Sequence, residues 1–260
     1  MLSMSLVFAA VSCRRATPGL TLAGSTSLQP YAEAWADAYQ AVQPDVVIHV
    51  QGGGSTSGVQ AATSGAAQIG MSSRPLTQSE AQRVTGIAVA RDAIALVAHP
   101  SRSANDLALE QIRDIYAGEI KNWKQIDGQD APITVITREE GSGTRAAFEA
   151  LVMGGKRIAA SALVQDSTGA VRQMVASDPA AIGYVSTGLL DHSVKALTLG
   201  GISPSEANID AGKYPLVRPF LFVVPSPPQT IATDFIAWIM GPEGRALTRR
   251  EGLLPPPLKE

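Results

Sequence analysis

Thr137-Arg138-Glu139-Glu140-Gly141-Ser142-Gly143-Thr144-Arg145 joins two segments of different periodicity. Ahead of it, Pro132-Ile133-Thr134-Val135-Ile136 is β-branched and apolar, the composition of a buried strand. Behind it, Ala147, Phe148, Leu151 and Val152 recur at helical spacing. A glycine-flanked Ser-Gly-Thr therefore stands where a strand becomes a helix. The first helical turn leaves backbone N–H groups without internal partners, and the macrodipole adds partial positive charge there. Ser142 and Thr144 supply hydroxyl donors, Gly143 lets an anion approach the backbone, and Arg138 adds a planar fork suited to an oxyanion. A plain helix cap at Ser142 or Thr144 would account for the same residues without any ligand.

The same unit recurs along the chain. Leu20-Thr21-Leu22-Ala23 alternates like a strand and runs into Gly24-Ser25-Thr26-Ser27. The following helix has Pro30 in its first turn and Tyr31, Ala34, Trp35, Ala38 and Tyr39 as an apolar stripe. Val46 to Val50 is a second strand, ending in Gly52-Gly53-Gly54-Ser55-Thr56-Ser57-Gly58 and a helix. Ile69-Gly70-Met71 ends in Ser72-Ser73-Arg74, and Thr77 with Glu80 forms a capping-box pair for the next helix. In open α/β sheets ligands bind beyond the carboxyl ends of the strands. Repetition of one turn chemistry therefore favours a shared oxyanion site over separate helix caps.

Composition narrows the function. With 260 residues, 45% hydrophobic and 17% charged, the chain can build two domains or one large α/β domain. A net charge of −2 argues against a nucleic-acid surface, so any anion must be met by aimed local donors. Cys13 is the single cysteine, and His49, His99 and His192 lie far apart, which argues against a zinc site; no cofactor is expected. Neither a phosphate-binding P-loop, nor a complete Gly-x-Gly-x-x-Gly, nor a Gly-x-Ser-x-Gly nucleophile elbow occurs. The apolar run Leu2 to Val11 is too short to span a bilayer and ends in Ala9-Ala10-Val11-Ser12-Cys13. That pattern is similar to a secretory signal ending in a lipobox, which implies export and lipidation of Cys13, with residues 1–19 as signal and tether.

Two long apolar strands, Ile94 to Ala98 and Leu216 to Val224, bracket the middle of the chain. They read as crossovers between a lobe built from both chain ends and an inserted lobe, or as members of one continuous sheet. Val194 to Leu199 reads as a further strand, and Lys156 to Gln165 as helical or irregular.

These turns resemble those of the periplasmic phosphate-binding proteins of bacterial phosphate ABC transporters. The likeness runs from about Leu20 to Leu254 and also takes in Ile120-Lys121-Asn122-Trp123, Gly183-Tyr184-Val185 and Lys213-Tyr214-Pro215 with Arg218-Pro219-Phe220. It implies a type II periplasmic-binding-protein fold, α/β, with two lobes closing on dehydrated phosphate. The lobes would be 20–93 with 219–260, and 94–218. By motif, Ser27 and the amide of Leu28, Ser55, Ser73, Arg138, Ser142, Gly143 and Thr144 would contact phosphate. Glu140 would hold the Arg138 guanidinium, and Thr26 and Arg74 would support the site, Arg74 either reaching the anion or forming a structural pair. Many members carry an aspartate where this chain has Ser73; the change weakens the distinction between phosphate and sulfate. The resemblance further implies a monomeric, non-enzymatic receptor in the periplasm or at the outer face of the membrane, serving a permease and ATPase. Receptors or sensors for sulfate, molybdate or tungstate remain as alternatives, as does a phosphoesterase using Ser55 or Ser142.

Overall fold

The computed structural model describes residues 19–257; the signal and lipidation reading at Cys13 lies outside them. The first half of the chain contains β1 (Gly19–Gly24), α1 (Gln29–Val42), β2 (Val47–Gly52), α2 (Ser55–Ser64), β3 (Ile69–Ser72), α3 (Gln78–Ala81), β4 (Val84–Ala98), β5 (Asp106–Leu107) and α4 (Leu109–Tyr116). There follow β6 (Thr134–Arg138), α5 (Gly143–Phe148), β7 (Leu163–Gln165), α6 (Thr168–Ser177), β8 (Ala181–Ser186), β9 (Lys195–Ala196) and β10 (Thr198–Leu199). The last elements are α7 (Glu206–Asp210), β11 (Val217–Pro225), α8 (Thr230–Met240) and α9 (Pro242–Arg250).

Among the described residues, nine strands make one mixed sheet in the order β2-β1-β3-β11-β4-β8-β6-β7, with β9 beside β4. The strand–turn–helix units pair in parallel, β1 with β2 and β3, and β6 with β7 and β8. β11 runs antiparallel to β3 and β4, and β8 antiparallel to β4. β4 is 15 residues long and changes partner along its length. Val84 to Ala93 pairs with β11, whereas Ile94 to Ala98 pairs with β8. That single strand joins the two halves of the sheet.

Each half has its own apolar cluster. Trp35 from α1, Phe222 from β11 and Phe235 from α8 pack among Leu20, Leu22 and Ile69. Trp35 meets Phe222 edge-on at 5.8 Å, and its indole N–H donates to Thr248 Oγ1 at 3.2 Å. In the other half Tyr116, Trp123, Phe148 and Tyr184 pack with Leu96 and Ile182. Phe148 stacks on Tyr184 at 4.2 Å. Backbone also approaches backbone: a Cβ on Gly58 of α2 would sit 2.6 Å from the Ala23 carbonyl and 2.7 Å from that of Met71. Only glycine lets α2 lie so close over the ends of β1 and β3.

Two local expectations change. Val194 to Leu199 is not one strand: β9 pairs with β4 while β10 pairs with β5, and the partner changes after the buried Leu197, whose N–H still donates to Leu96 O at 2.9 Å. Within Lys156 to Gln165, Leu163–Gln165 is the edge strand β7 beside β6, a short run that periodicity alone cannot assign. The capping box holds: Glu80 N donates to Thr77 Oγ1 at 3.3 Å, and Thr77 N donates to Glu80 Oε2 at 2.8 Å. Arg74 closes on the same carboxylate, with Nη1 and Nη2 each 2.8 Å from an oxygen of Glu80.

Truncating Phe222 to alanine should cost about 3–5 kcal/mol of unfolding free energy, read from urea denaturation, since the ring is fully buried. The Arg74 pairing holds the Glu80 carboxyl down at about 2, from 4.5. A depressed carboxylate pKa contributes stability above the unfolded value, and that contribution is lost as pH falls through the folded one. Arg74→Met should therefore flatten the fall in stability between pH 4.5 and about pH 2, measured by thermal melts across that window.

Candidate anion-binding site

The turns singled out in the sequence meet one another. Ser27, beyond β1, has its Oγ 3.2 Å from Thr144 Oγ1 at the start of α5. Ser55, the first residue of α2, has its Oγ 3.3 Å from Ser73 Oγ and accepts from Ser73 N at 3.0 Å. Gly143 sits against this pair: a Cβ there would overlap Ser55 Oγ and lie 2.6 Å from Ser73 Oγ. Thr56 N donates to the Gly141 carbonyl at 3.2 Å, tying the second turn to the third. Residues more than a hundred positions apart thus share one buried polar cluster, in which Ser27, Ser55, Ser73, Ser142 and Thr144 are almost fully enclosed.

Local geometry explains how each side chain is aimed. Ser142 is the extended N-cap of α5, and its Oγ accepts from Arg145 N at 3.2 Å. Capping occupies a lone pair only, so the hydroxyl proton remains available to an acceptor. Cap and donor are therefore compatible roles for one serine. The Leu28 amide differs from expectation: it donates within its own turn, to Ser25 O at 3.2 Å and Ser25 Oγ at 3.3 Å. The α1 helix starts at Gln29, and the turn closes on Ser25 before that amide can face outward.

Arg138 ends β6 and is 1% exposed. Its guanidinium is held by Glu139, through Nε to Oε2 at 2.9 Å and Nη2 to Oε1 at 2.8 Å, and not by Glu140 as expected. Glu139 is the next residue, and its side chain folds back along the guanidinium edge. Nη1 donates to Thr168 Oγ1 at 2.9 Å, and Nη2 reaches Thr26 Oγ1 at 3.2 Å. Behind it, Tyr184 Oη bonds Thr137 Oγ1 at 2.8 Å, and burial pushes that phenol up to about 12. Arg74 takes the structural alternative, its guanidinium bound to Glu80, the Pro75 carbonyl and, at 3.5 Å, Thr56 Oγ1.

A second buried guanidinium has no counterpart among the expected site residues. Arg218, on β11, is 2% exposed and donates through Nε at 3.0 Å and Nη2 at 2.8 Å to Asp92 Oδ2 on β4. Nη2 also lies 3.4 Å from Ser27 Oγ, and Nη1 lies 3.4 Å from the Ser73 carbonyl. The other oxygen of Asp92 accepts from Ser186 Oγ at 2.7 Å and Thr187 Oγ1 at 3.2 Å. Burial pushes the Asp92 carboxyl up and the Arg218 guanidinium down, while each supports the charge of the other. The sequence carried a signal: Arg218 interrupts an otherwise apolar strand, and Asp92 precedes the other apolar run.

Residues 10–243 match the PBP superfamily domain. The phosphate-binding protein PstS of Bacillus subtilis is 34% identical over 206 residues, covering 78% of this chain and 68% of that protein. A Clostridium perfringens protein described as a phosphate ABC transporter substrate-binding protein, solved with bound phosphate, is 37% identical. It superimposes with a TM-score of 0.89 over 92% of this chain and all of its own. An ABC-type phosphate transport receptor from Vibrio cholerae is also 37% identical, with a TM-score of 0.76 over 91% of this chain. The curled mixed sheet flanked by helices is the type II periplasmic-binding-protein fold. With sheet, buried donors and relatives in agreement, the chain belongs to the PBP superfamily and, within it, to the PstS family of phosphate-binding proteins.

Proposed function

We propose that this chain is an extracytoplasmic solute receptor that binds inorganic phosphate and delivers it to an ABC permease and ATPase. The observation that carries the reading is the meeting of Gly143 with Ser55 and Ser73 beside the Ser27–Thr144 contact, with Arg138 buried at the same place. Ser27, Ser55, Ser73, Arg138, Ser142, Gly143 and Thr144 form the phosphate site. Hydroxyls and a guanidinium replace the water shell of the anion, and backbone amides at the start of α5 add further donors. Residues 20–93 with 219–260 make one lobe and 94–218 the other; the change of partner within β4 between Ala93 and Ile94 supports this division.

Binding without turnover fits the same geometry. Among the described residues, the side-chain hydrogen-bond partners of Ser55 Oγ are Ser73 Oγ and the Ser73 amide, and that of Ser142 Oγ is the Arg145 amide. Neither hydroxyl touches a base that could take its proton. Export as a lipid-anchored monomer completes the reading.

Calorimetric titration of ligand-stripped protein should give micromolar or tighter phosphate binding; no binding would overturn the function. Arg138→Ala should weaken that binding by about 2–5 kcal/mol, the scale for removing one partner of a buried charged contact. Comparing Glu139→Gln with Glu140→Gln assigns the supporting carboxylate: the first should loosen binding, the second should leave it near the parent value. Gly143→Ala, which forces a Cβ onto Ser55 and Ser73, should cost roughly 1–3 kcal/mol of affinity by overpacking, read in the same titration.

A further inference from the structure

Among the described residues, every carboxylate that touches this cluster is already engaged by a guanidinium. Glu139 is held by Arg138 and Asp92 by Arg218. The side-chain groups that remain are hydroxyls, which can donate or accept, and N–H groups, which only donate. Each guanidinium has five N–H groups. Arg138 places Nε and Nη2 on Glu139 and neighbouring oxygens, while Nη1 has Thr168 Oγ1 alone. Arg218 places Nε and Nη2 on Asp92, and its Nη1 has the Ser73 carbonyl alone, at a long 3.4 Å. One Nη1 hydrogen on each is therefore left without a protein acceptor among the described residues, on side chains 1% and 2% exposed. The positive charge of Arg138 also disfavours that of Arg218, so the two guanidiniums sense each other across the cluster. An anion in contact with both would relieve that repulsion.

We propose that Arg218 is a second guanidinium in direct contact with the ligand, and that with Arg138 it selects the dianionic form of a tetrahedral oxyanion over the monoanion. This rests on the oxyanion reading above. Arg218 is positioned for it by Ser27 and Ser73, the residues its Nη atoms already reach, and by Asp92, which fixes the guanidinium from the opposite edge. A ligand proton must be accepted by a hydroxyl that otherwise donates; the phosphate monoanion carries two protons and the dianion one, so the monoanion loses one more donated hydrogen bond and brings one charge fewer to the two guanidiniums. Sulfate, a dianion throughout the neutral range, brings the same charge as hydrogen phosphate with no proton to place. The site therefore favours two negative charges over one, and sulfate competes with hydrogen phosphate.

The test is the affinity of the wild-type chain for phosphate and for sulfate at a series of pH values between 6 and 8. Charged and titratable groups facing the cluster are Arg138 and Glu139 on β6, Arg145 on α5, Asp92 on β4, Arg218 on β11, Tyr31 on α1, Tyr184 on β8, and the Arg74–Glu80 pair beside Ser73. Sulfate does not change protonation in this range, so its profile carries the protein's own titration, and the phosphate-to-sulfate ratio isolates that of the ligand. The expected ratio rises about tenfold per pH unit below the second ionisation of phosphate and levels off above it, with sulfate competing throughout. A ratio that is flat or falls with pH, or sulfate that fails to compete while phosphate binds, overturns the dianion selection. Binding of neither anion overturns the oxyanion reading itself.

Arg218→Lys keeps the charge opposite Asp92 but removes the fork, and Arg218→Gln with Asp92→Asn keeps a neutral hydrogen-bonded pair should the first fail to fold. Either folded variant should bind phosphate at least tenfold more weakly at pH 8 and show a shallower rise of the ratio. Parent affinity and parent slope in a folded variant would remove Arg218 from the ligand.

Discussion

A guanidinium taken out of water must recover, from the protein, the hydrogen bonds and counter-charge it gave up, and two such groups organise this molecule. Arg138 and Arg218 are both almost wholly enclosed, and each is matched to one carboxylate. Breaking either pair would leave an uncompensated buried charge, which costs several kcal/mol. The surrounding elements must therefore hold their positions. β6 has to deliver Arg138 beside Thr168 of α6 and Thr26 of the first turn. β4 and β11 have to align so that Asp92 and Arg218 are register partners across the ladder.

The hydroxyl-rich turns depend on that frame. Buried hydroxyls are costly without partners. Here they satisfy one another in pairs, Ser27 with Thr144 and Ser55 with Ser73, and with backbone amides. A hydroxyl can reverse its role when a stronger acceptor arrives. The cluster can thus exist satisfied by itself and still offer donors to an anion, which a cluster of charged groups could not do.

Glycine makes the close approach possible at two levels. Gly58 brings α2 down onto the carboxyl ends of β1 and β3, which places Ser55 at the sheet's rim. Gly143 then brings the start of α5 against Ser55 and Ser73. The long strand β4 carries the connection between the halves, pairing with β11 on one side of Ala93 and with β8 on the other.

Local chemistry was enough to read much of this. Strand periodicity followed by Gly-Ser-Thr turns marked β1, β2 and β6 and their helices, and Thr77 with Glu80 marked a capping box, because those signals lie within a few residues. The same turns supplied Ser27, Ser55, Ser142, Gly143 and Thr144, and the resemblance they carry supplied the fold. Three things required the tertiary structure. Glu139 and Glu140 are chemically alike neighbours, and only the course of the chain after β6 decides which one meets Arg138. The run Val194 to Leu199 changes partner from β4 to β5 after Leu197, a switch between distant strands. Asp92 and Arg218 are 126 positions apart, and no local pattern announces a partner that sheet register alone brings opposite. The sequence by itself thus determined the turns and their donors; the tertiary structure decided which charges face one another, because pairing between distant strands depends on register and burial rather than on neighbouring residues.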